Sequence, residues 1–417
     1  LFRYLMDNAI SYKDPLNLQL GVSLTAEQVA ALTHDIVWME EAEINGQKVL
    51  TPVLYLAQAN NRLAPNGALI QGQDVSLVTG GDLHNSGTLR ATNNLSMVAG
   101  NIDNSGLMQA GNRLEMLATD SVRNTRGGII NGRDISATAV IGDIINERTV
   151  TTFKQDGQGY QLRNDVASEA SRFEATDTLK LNAGRDVLNL GSNLKAGGNA
   201  SVTAGRDVLI ASQTEQDDYA YQRRRISGTE QTILQHTSAV DVGGNLAIDA
   251  RRDIAVVAST VSAAKDLSVK AGENLTLAAA ANEQHDYSKG KKGGTKTTTQ
   301  LDDVTQQSAE LKAGGDLIAI AGTDLTLVAS KISAGNEAYV HADNELQMLA
   351  AQDSHYSLYD MSKKGSWGSK KTQRDEVTDV KNVGSEIKTG GDLTLESGGD
   401  QKYQAAKLES GGDIAIV

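Results

Sequence analysis

The sequence predicts an all-β fold: a parallel β-helix carrying hairpin excursions, with a small α/β cap at its N-terminal end. Three observations lead there. Acidic or amide residues that follow small-residue turns recur every 21 positions. Short alternations of apolar and polar residues follow each of them. Proline disappears after Pro65, leaving 352 residues without one, as suits long ladders that need every backbone N–H.

The recurring acids and amides set the period. Asp186 and Asp207 are 21 apart, as are Asn245 and Asp266, Asp253 and Asn274, and Asp392 and Asp413. Within one period the steps alternate: 8 from Asn245 to Asp253, 13 from Asp253 to Asp266, and 8 again from Asp316 to Asp324. Apolar residues usually fill the first and third positions after each mark, as in Leu246 and Ile248, Ile254 and Val256, Leu267 and Val269, Leu275 and Leu277, and Leu325 and Leu327. That alternation is a short strand with one face inward. The longer step hides a third strand, marked by Leu194, Val261, Ile332 or Leu408 eight residues after the second mark. One period is three strands and three corners, hence one coil of a β-helix. The corners often read Ala-Gly-x-Asp or Gly-Gly-Asp, where Gly supplies backbone angles that other residues adopt at a cost.

Residues 67–146 follow a looser version. Val75, Leu95, Leu114 and Ile135 recur at steps of 20, 19 and 21, and Asn85, Asn104 and Asn124 at 19 and 20. Stacked amides can form a ladder along a rod; ordinary turn-forming Asn is the equal alternative.

Four long segments interrupt the rhythm, near 147–172, 213–239, 281–310 and 352–386. Each lands on an apolar residue in the third-strand position: Phe173, Val240, Leu311 and Ile387, which are 67, 71 and 76 residues apart. Two coils take ~42 residues of each step, so every second coil carries an insertion at one corner. Thr-rich alternation around Gly293-Gly294 suggests hairpins; disordered loops are the alternative. Two coils rise ~9.6 Å and a hairpin is two strands, also ~9.6 Å, wide. Successive hairpins are therefore expected to pair edge to edge in a sheet beside the rod. Without the excursions, roughly 233 residues remain, or about eleven coils, in a rod on the order of 50–60 Å long.

Residues 1–66 differ and read as a cap and lead-in segment, with the repeat array occupying 67–417. Thr25-Ala26-Glu27-Gln28 fits a capping box opening a short helix to about His34. Ile36 to Ile44, Asn45-Gly46 and Gln47 to Leu56 read as a hairpin with a type I′ turn. A β-helix end exposes strand edges and apolar core, and this segment is placed to cover one.

Composition narrows the function. Aromatics are 4% of the chain, against 41 glycines, which suits stacked aliphatic ladders. The net charge of −13 argues against nucleic acid as the main partner, since phosphate binding needs a basic footprint. Cysteine is absent, which removes disulfides and thiol catalysis. No apolar run approaches the ~20 residues that span a bilayer. The chain begins at Leu1 without Met and stops within a repeat at Val417, and it reads as a piece of something longer.

These residues resemble the filamentous-haemagglutinin repeat family, the giant exoproteins of two-partner secretion that include contact-dependent growth-inhibition proteins. Three features carry the resemblance: the Ala-Gly-x-Asp-aliphatic repeat, the segment Ala31-Leu32-Thr33-His34-Asp35-Ile36-Val37-Trp38, and the excursion texture His285-Asp286-Tyr287. Val49-Leu50-Thr51-Pro52-Val53-Leu54-Tyr55-Leu56 strengthens it and is similar to the junction leading into the second repeat region of an inhibition exoprotein. The resemblance implies a right-handed coil and a monomeric rod, secreted to the bacterial cell surface. It also implies an outer-membrane transporter as partner during export. A target-cell outer membrane or surface receptor would be the partner at the destination, with a role in carrying a C-terminal toxin. An adhesin stalk and a β-helix polysaccharide-cleaving enzyme are the alternatives.

Each candidate site has a purely structural alternative. Glycan-cleaving β-helices need two or three carboxylates converging in a groove, whereas these Asp residues form a ladder at turns, where they cap N–H groups. No catalytic, cofactor-binding or metal residue is expected; the six His are scattered. His285 and His355 read as solvated loop residues. Gly-Gly-Asp also occurs in calcium-binding rolls, but at a nine-residue period. The Gly-Arg-Asp triplets read as corners. Lys289, Lys291 and Lys292 cluster in the third excursion; Lys363, Lys364, Lys370 and Lys371 flank Trp367 in the fourth. These are the candidate membrane or partner contacts, since basic tips on an acidic rod suit an anionic surface and an exposed Trp suits an interface. Solubilising charge, and packing of Trp367 within its own hairpin, are the alternatives.

Overall fold

A computed structural model of the chain describes residues 68–417 continuously, residues 36–44 and 47–55, and isolated positions before residue 36. The chain divides into two compact units, 1–68 and 69–417. In the first, Ile36–Ile44 and Gln47–Tyr55 pair antiparallel with Ile44 opposite Gln47, as the sequence predicts. The Asn45-Gly46 turn lies outside the described residues, as does the helix expected over 25–34 apart from Gln28, which is helical. Ala9, Leu18, Ile36 and Trp38 form a small apolar cluster, and the Trp38 indole N–H donates to the Gln19 carbonyl at 3.1 Å.

The second unit is a parallel β-helix of three sheets with 12, 11 and 12 strands. One coil runs Leu246–Ala250, Ile254–Val257, Thr260–Ala263. The next stacks on it as Leu267–Ala271, Leu275–Ala278 and Glu310–Ala313, with Leu246 beside Leu267, Ile254 beside Leu275 and Val261 beside Leu311. The register is fixed because a slip of one residue would turn every inward aliphatic side chain to solvent. Val75, Leu95, Leu114 and Ile135 are successive rungs of the first sheet. The landing residues are rungs of the third: Phe173 sits on Leu194, Val240 on Val261, Leu311 on Ile332 and Ile387 on Leu408. A second ladder, of alanines, closes the first-sheet strands. Ala118, Ala139, Ala183, Ala271 and Ala321 are all buried.

The marks at the corners cap backbone. Asp207 accepts the Asp253 N–H at 3.2 Å, Asp253 accepts the Asn274 N–H at 3.1 Å, and Asp266 accepts the Asp316 N–H at 3.0 Å. Each carboxylate thus satisfies a turn donor in the following coil. Arginines reinforce one corner. Arg185, Arg206 and Arg252 donate their Nε–H to Asp143, Asp186 and Asp207 of the preceding coil at 2.7, 2.8 and 2.8 Å. Two of the Gly-Arg-Asp triplets are therefore corners with an inter-coil clamp. Arg185 holds the Asp143 carboxyl below the usual carboxylate range, outweighing burial, with help from the Asp186 N–H.

All four excursions leave from one corner, after Ile144–Glu147, Val208–Ala211, Leu275–Ala278 and Leu346–Leu349. From the first excursion onward, the coils without one turn there on a single left-handed residue: Gly191, Ala258, Ala329 or Ala405, with φ of 55°, 45°, 48° and 50°. A Cβ on Gly191 would lie 2.7 Å from that of Gln213, so only glycine passes beneath the second hairpin. Buried polar ladders line the same corner. Asn85, Asn104, Asn124 and Asn146 each donate a side-chain N–H to the amide oxygen of the next, at 2.8, 2.8, 2.9 and 2.7 Å, and the ladder ends on Asn189. Serines then take over: the Ser192 N–H donates to the Ser238 hydroxyl and the Ser238 N–H to Ser259, both at 3.1 Å. The amide-ladder reading of Asn85, Asn104 and Asn124 holds and extends by two rungs.

Two tests follow from this architecture. Leu325 is fully buried in the ladder, and Thr326 faces outward on the same strand. Leu325→Asp should lower the melting temperature sharply, at a cost of several kcal/mol for an unpartnered buried charge. Thr326→Asp should stay within about 0.5 kcal/mol of the parent, and equal thermal melts would refute the register. The Asp143–Arg185 clamp predicts a pH signature. A carboxylate whose pKa is depressed in the folded state contributes stability that is complete above its unfolded pKa, ~3.9. That stability is lost as pH falls through the depressed value. Arg185→Gln should therefore melt below the parent at pH 7, and the gap should close as pH falls below about 4.

Candidate functional site

The excursions are four antiparallel hairpins: Val150–Gly157 with Tyr160–Ala167, Gln213–Arg223 with Ile226–His236, Ala280–Lys292 with Thr295–Gln307, and Ala351–Lys364 with Lys370–Val383. Their strands alternate polar and β-prone residues around tight turns; Gly293 and Gly294, at φ 54° and 83°, close the third. The hairpins join in chain order into one eight-stranded sheet, as the matching spacings require. Tyr160 pairs with Tyr221, Ile226 with Gly290 and Thr295 with Lys363 across the junctions. Each junction is closed toward the rod by a side chain at or just beyond its last backbone pair. Asp217, Asn282 and Asp353 accept the N–H groups of Asp165, Gln235 and Gln306 at 3.0, 2.7 and 2.7 Å. Sequence reasoning missed these clips, although each follows its excursion's start by two to four residues.

This sheet is a single layer. Among its described residues only Asp165 and Gly228 are buried, so both faces meet solvent. Cross-strand pairs supply its cohesion. Tyr221 lies over Gly228, where an added Cβ would come within 2.6 Å of the phenol oxygen, and its ring lies 5.6 Å from that of Tyr219, tilted by 31°. His285 bridges Glu283 at 3.0 Å and Asp302 at 2.9 Å, and both carboxylates raise its pKa. His355 pairs with Asp303 across the next junction. These two histidines are strand residues in ion pairs, which corrects the reading of them as loop residues.

The turns gather positive charge. Lys289, Lys291, Lys292, Lys363, Lys364, Lys370 and Lys371 all lie at the outer end of the sheet and are exposed. The structure adds Lys296 and the run Arg223-Arg224-Arg225, also exposed, at the turn of the second hairpin. The sequence signal for this run is its place at the midpoint of the second excursion. Eleven Lys and Arg thus fall in segments 222–227, 288–297 and 361–372, which contain no Asp or Glu. Like charges face each other directly at Lys291–Lys296, Lys363–Lys371 and Lys364–Lys370, an arrangement that destabilises a sheet. Elsewhere arginines are matched: Arg185, Arg206, Arg252 and Arg374 each hold a carboxylate. Trp367 stands at the fourth turn, 103% exposed. It adopts φ 59°, ψ 32°, a left-handed conformation costing about 1–2 kcal/mol for a residue with a Cβ. It does not pack within its own hairpin.

Comparison with known proteins places this architecture. The hemagglutinin repeat model matches residues 84–228, 221–301 and 290–416. The chain is 34% identical, over 97% of its length, to "Deoxyribonuclease CdiA" of Dickeya dadantii (strain 3937). It is 30% identical, over 99%, to "16S rRNA endonuclease CdiA" of Enterobacter cloacae, and 30% identical, over 100%, to "tRNA nuclease CdiA" of Escherichia coli (strain STEC_O31). It spans only 12% to 13% of the length of these relatives. No solved structure matches. With the repeat model matched across most of the chain, and the chain itself aligned over nearly its whole length to part of each of these relatives, this chain belongs to the hemagglutinin-repeat family and is a structural repeat segment of a contact-dependent-inhibition exoprotein.

Proposed function

We propose that the segment is a delivery scaffold whose hairpin sheet, rather than the rod, makes the contact with the target cell. The observation that carries this reading is the collection of eleven exposed cations and Trp367 at one end of a sheet, on a chain of net charge −13. Such an end is attracted to an anionic outer membrane or an acidic surface receptor, and an exposed Trp suits the interfacial layer. Several tips on one rod act together, so weak contacts sum.

The remaining assignments go with this reading. The protein is secreted and displayed at the bacterial surface as a monomeric rod, after export through an outer-membrane transporter. Residues 1–66 form the lead-in and 67–417 the repeat array. The segment has no catalytic role of its own, because the ladder carboxylates are engaged as backbone caps; the nuclease activities belong to the relatives' names. Adhesion without delivery is the second reading, favoured by the same cationic tips, and it predicts binding without translocation of cargo.

Deleting 289–294 and 363–371 should leave the melting of the coils unchanged and cut binding to target-cell outer-membrane vesicles at least tenfold at low salt. The difference should shrink as salt screens the charges. Unchanged vesicle binding would overturn the contact role. Release of oligosaccharides from polygalacturonate by the purified protein, lost in a single Asp→Ala variant, would overturn the non-catalytic assignment.

A further inference from the structure

On one face of the sheet the second, third and fourth hairpins enclose a groove of about 530 Å³. Strand register explains how its lining comes together. Ser227, Lys289, Thr298 and Asp360 are direct neighbours in one row across four strands. Lys291, Lys296 and Ser362 form the next row outward. The Lys291 N–H donates to the Arg225 carbonyl at 2.9 Å, which extends that row to the arginine run. Residues more than 130 positions apart thus share one surface. Gly290, between the lysines, presents no side chain.

The composition of this lining differs from that of a plain basic patch. Hydroxyls stand among the cations, and a single carboxylate, Asp360, sits with them, 4.0 Å from Arg374. Lysine ammonium groups and an arginine fork are matched to phosphate oxygens. Ser and Thr hydroxyls can donate to a phosphate oxygen or pair with a sugar hydroxyl, whereas a carboxylate only accepts, which suits the hydroxyls of a sugar and repels an ionised phosphate. The neighbouring cations Lys291 and Lys296 oppose each other without an intervening acid, and an external anion would relieve that repulsion.

We propose that this groove is a binding site for phosphorylated saccharides. The phosphates lie against Lys289, Lys291, Lys296 and Arg225, and the sugar hydroxyls meet Ser227, Thr298, Ser362 and Asp360. The assignment rests on the tips being the contacting end of the sheet, and it names the chemistry recognised there.

Titration calorimetry on the whole chain tests it, with fructose 1,6-bisphosphate as probe. Inorganic phosphate, fructose and phosphatidylglycerol vesicles serve as the comparison arms. The hexose bisphosphate should bind at least tenfold more tightly than inorganic phosphate, and fructose should not bind measurably. K289Q/K296Q, at exposed positions with no structural partner, should keep the parent melting temperature and weaken the bisphosphate at least tenfold. D360N removes one negative charge. It should strengthen inorganic phosphate but narrow the preference for the bisphosphate at least threefold. Equal affinity for inorganic phosphate and the bisphosphate would overturn the proposal, as would a K289Q/K296Q variant that binds the bisphosphate like the parent. So would vesicle binding that displaces none of the bound bisphosphate. These failures leave the membrane reading standing, whereas unchanged vesicle binding after tip deletion removes the membrane reading on its own.

Discussion

One length governs the molecule: the ~4.8 Å between hydrogen-bonded strands. It sets the rise of each coil, because every coil adds one strand to each of three parallel sheets. It also sets the width of a hairpin. Insertions at every second coil therefore arrive at the spacing an antiparallel sheet requires, and two sheet systems of different polarity grow along one axis without strain. Had the insertions fallen on every coil, the hairpins would have been crowded to half their width. Every third coil would have left exposed edges between them.

The aliphatic ladder holds this spacing constant, and the polar ladders hold the exit point. The corner from which hairpins leave is lined by Asn85 to Asn189 and then by Ser192, Ser238 and Ser259, all buried. Each side chain satisfies its neighbour, so the chain can depart there without leaving backbone groups unpaired in the core. The alternate coils close the same corner with a left-handed Gly or Ala. Departure and closure are thus two solutions to one local problem, and the sequence alternates between them.

The fold was legible because its signals are local and repeated. The 21-residue period, the inward pairs such as Leu246 and Ile248, and the landings at Phe173, Val240, Leu311 and Ile387 each encode one rung. The hairpin sheet was legible at one remove, from arithmetic on the landings. What escaped was what depends on register between hairpins. Nothing in the sequence around Arg225 says that it lies beside Lys291, because that neighbourhood is created by the pairing of Ile226 with Gly290. The alanine ladder escaped for a different reason: alanine is common enough that its inward position shows only when coils are stacked. The Asp217, Asn282 and Asp353 clips look like any other polar residues in a polar strand.

The hairpin strands lengthen along the rod, from 8 residues to 11, 13 and 14. At ~3.3 Å per residue the fourth turn reaches on the order of 20 Å beyond the first. The outer margin of the sheet is consequently slanted. A flat charged surface approaching it meets Trp367 and its lysines before the arginines of the second turn, and the uncharged first turn last. Engagement would proceed as a closing angle, each contact tilting the rod so that the next can form. Such a margin converts attraction into a torque with a fixed sense, which a row of equal hairpins would not supply.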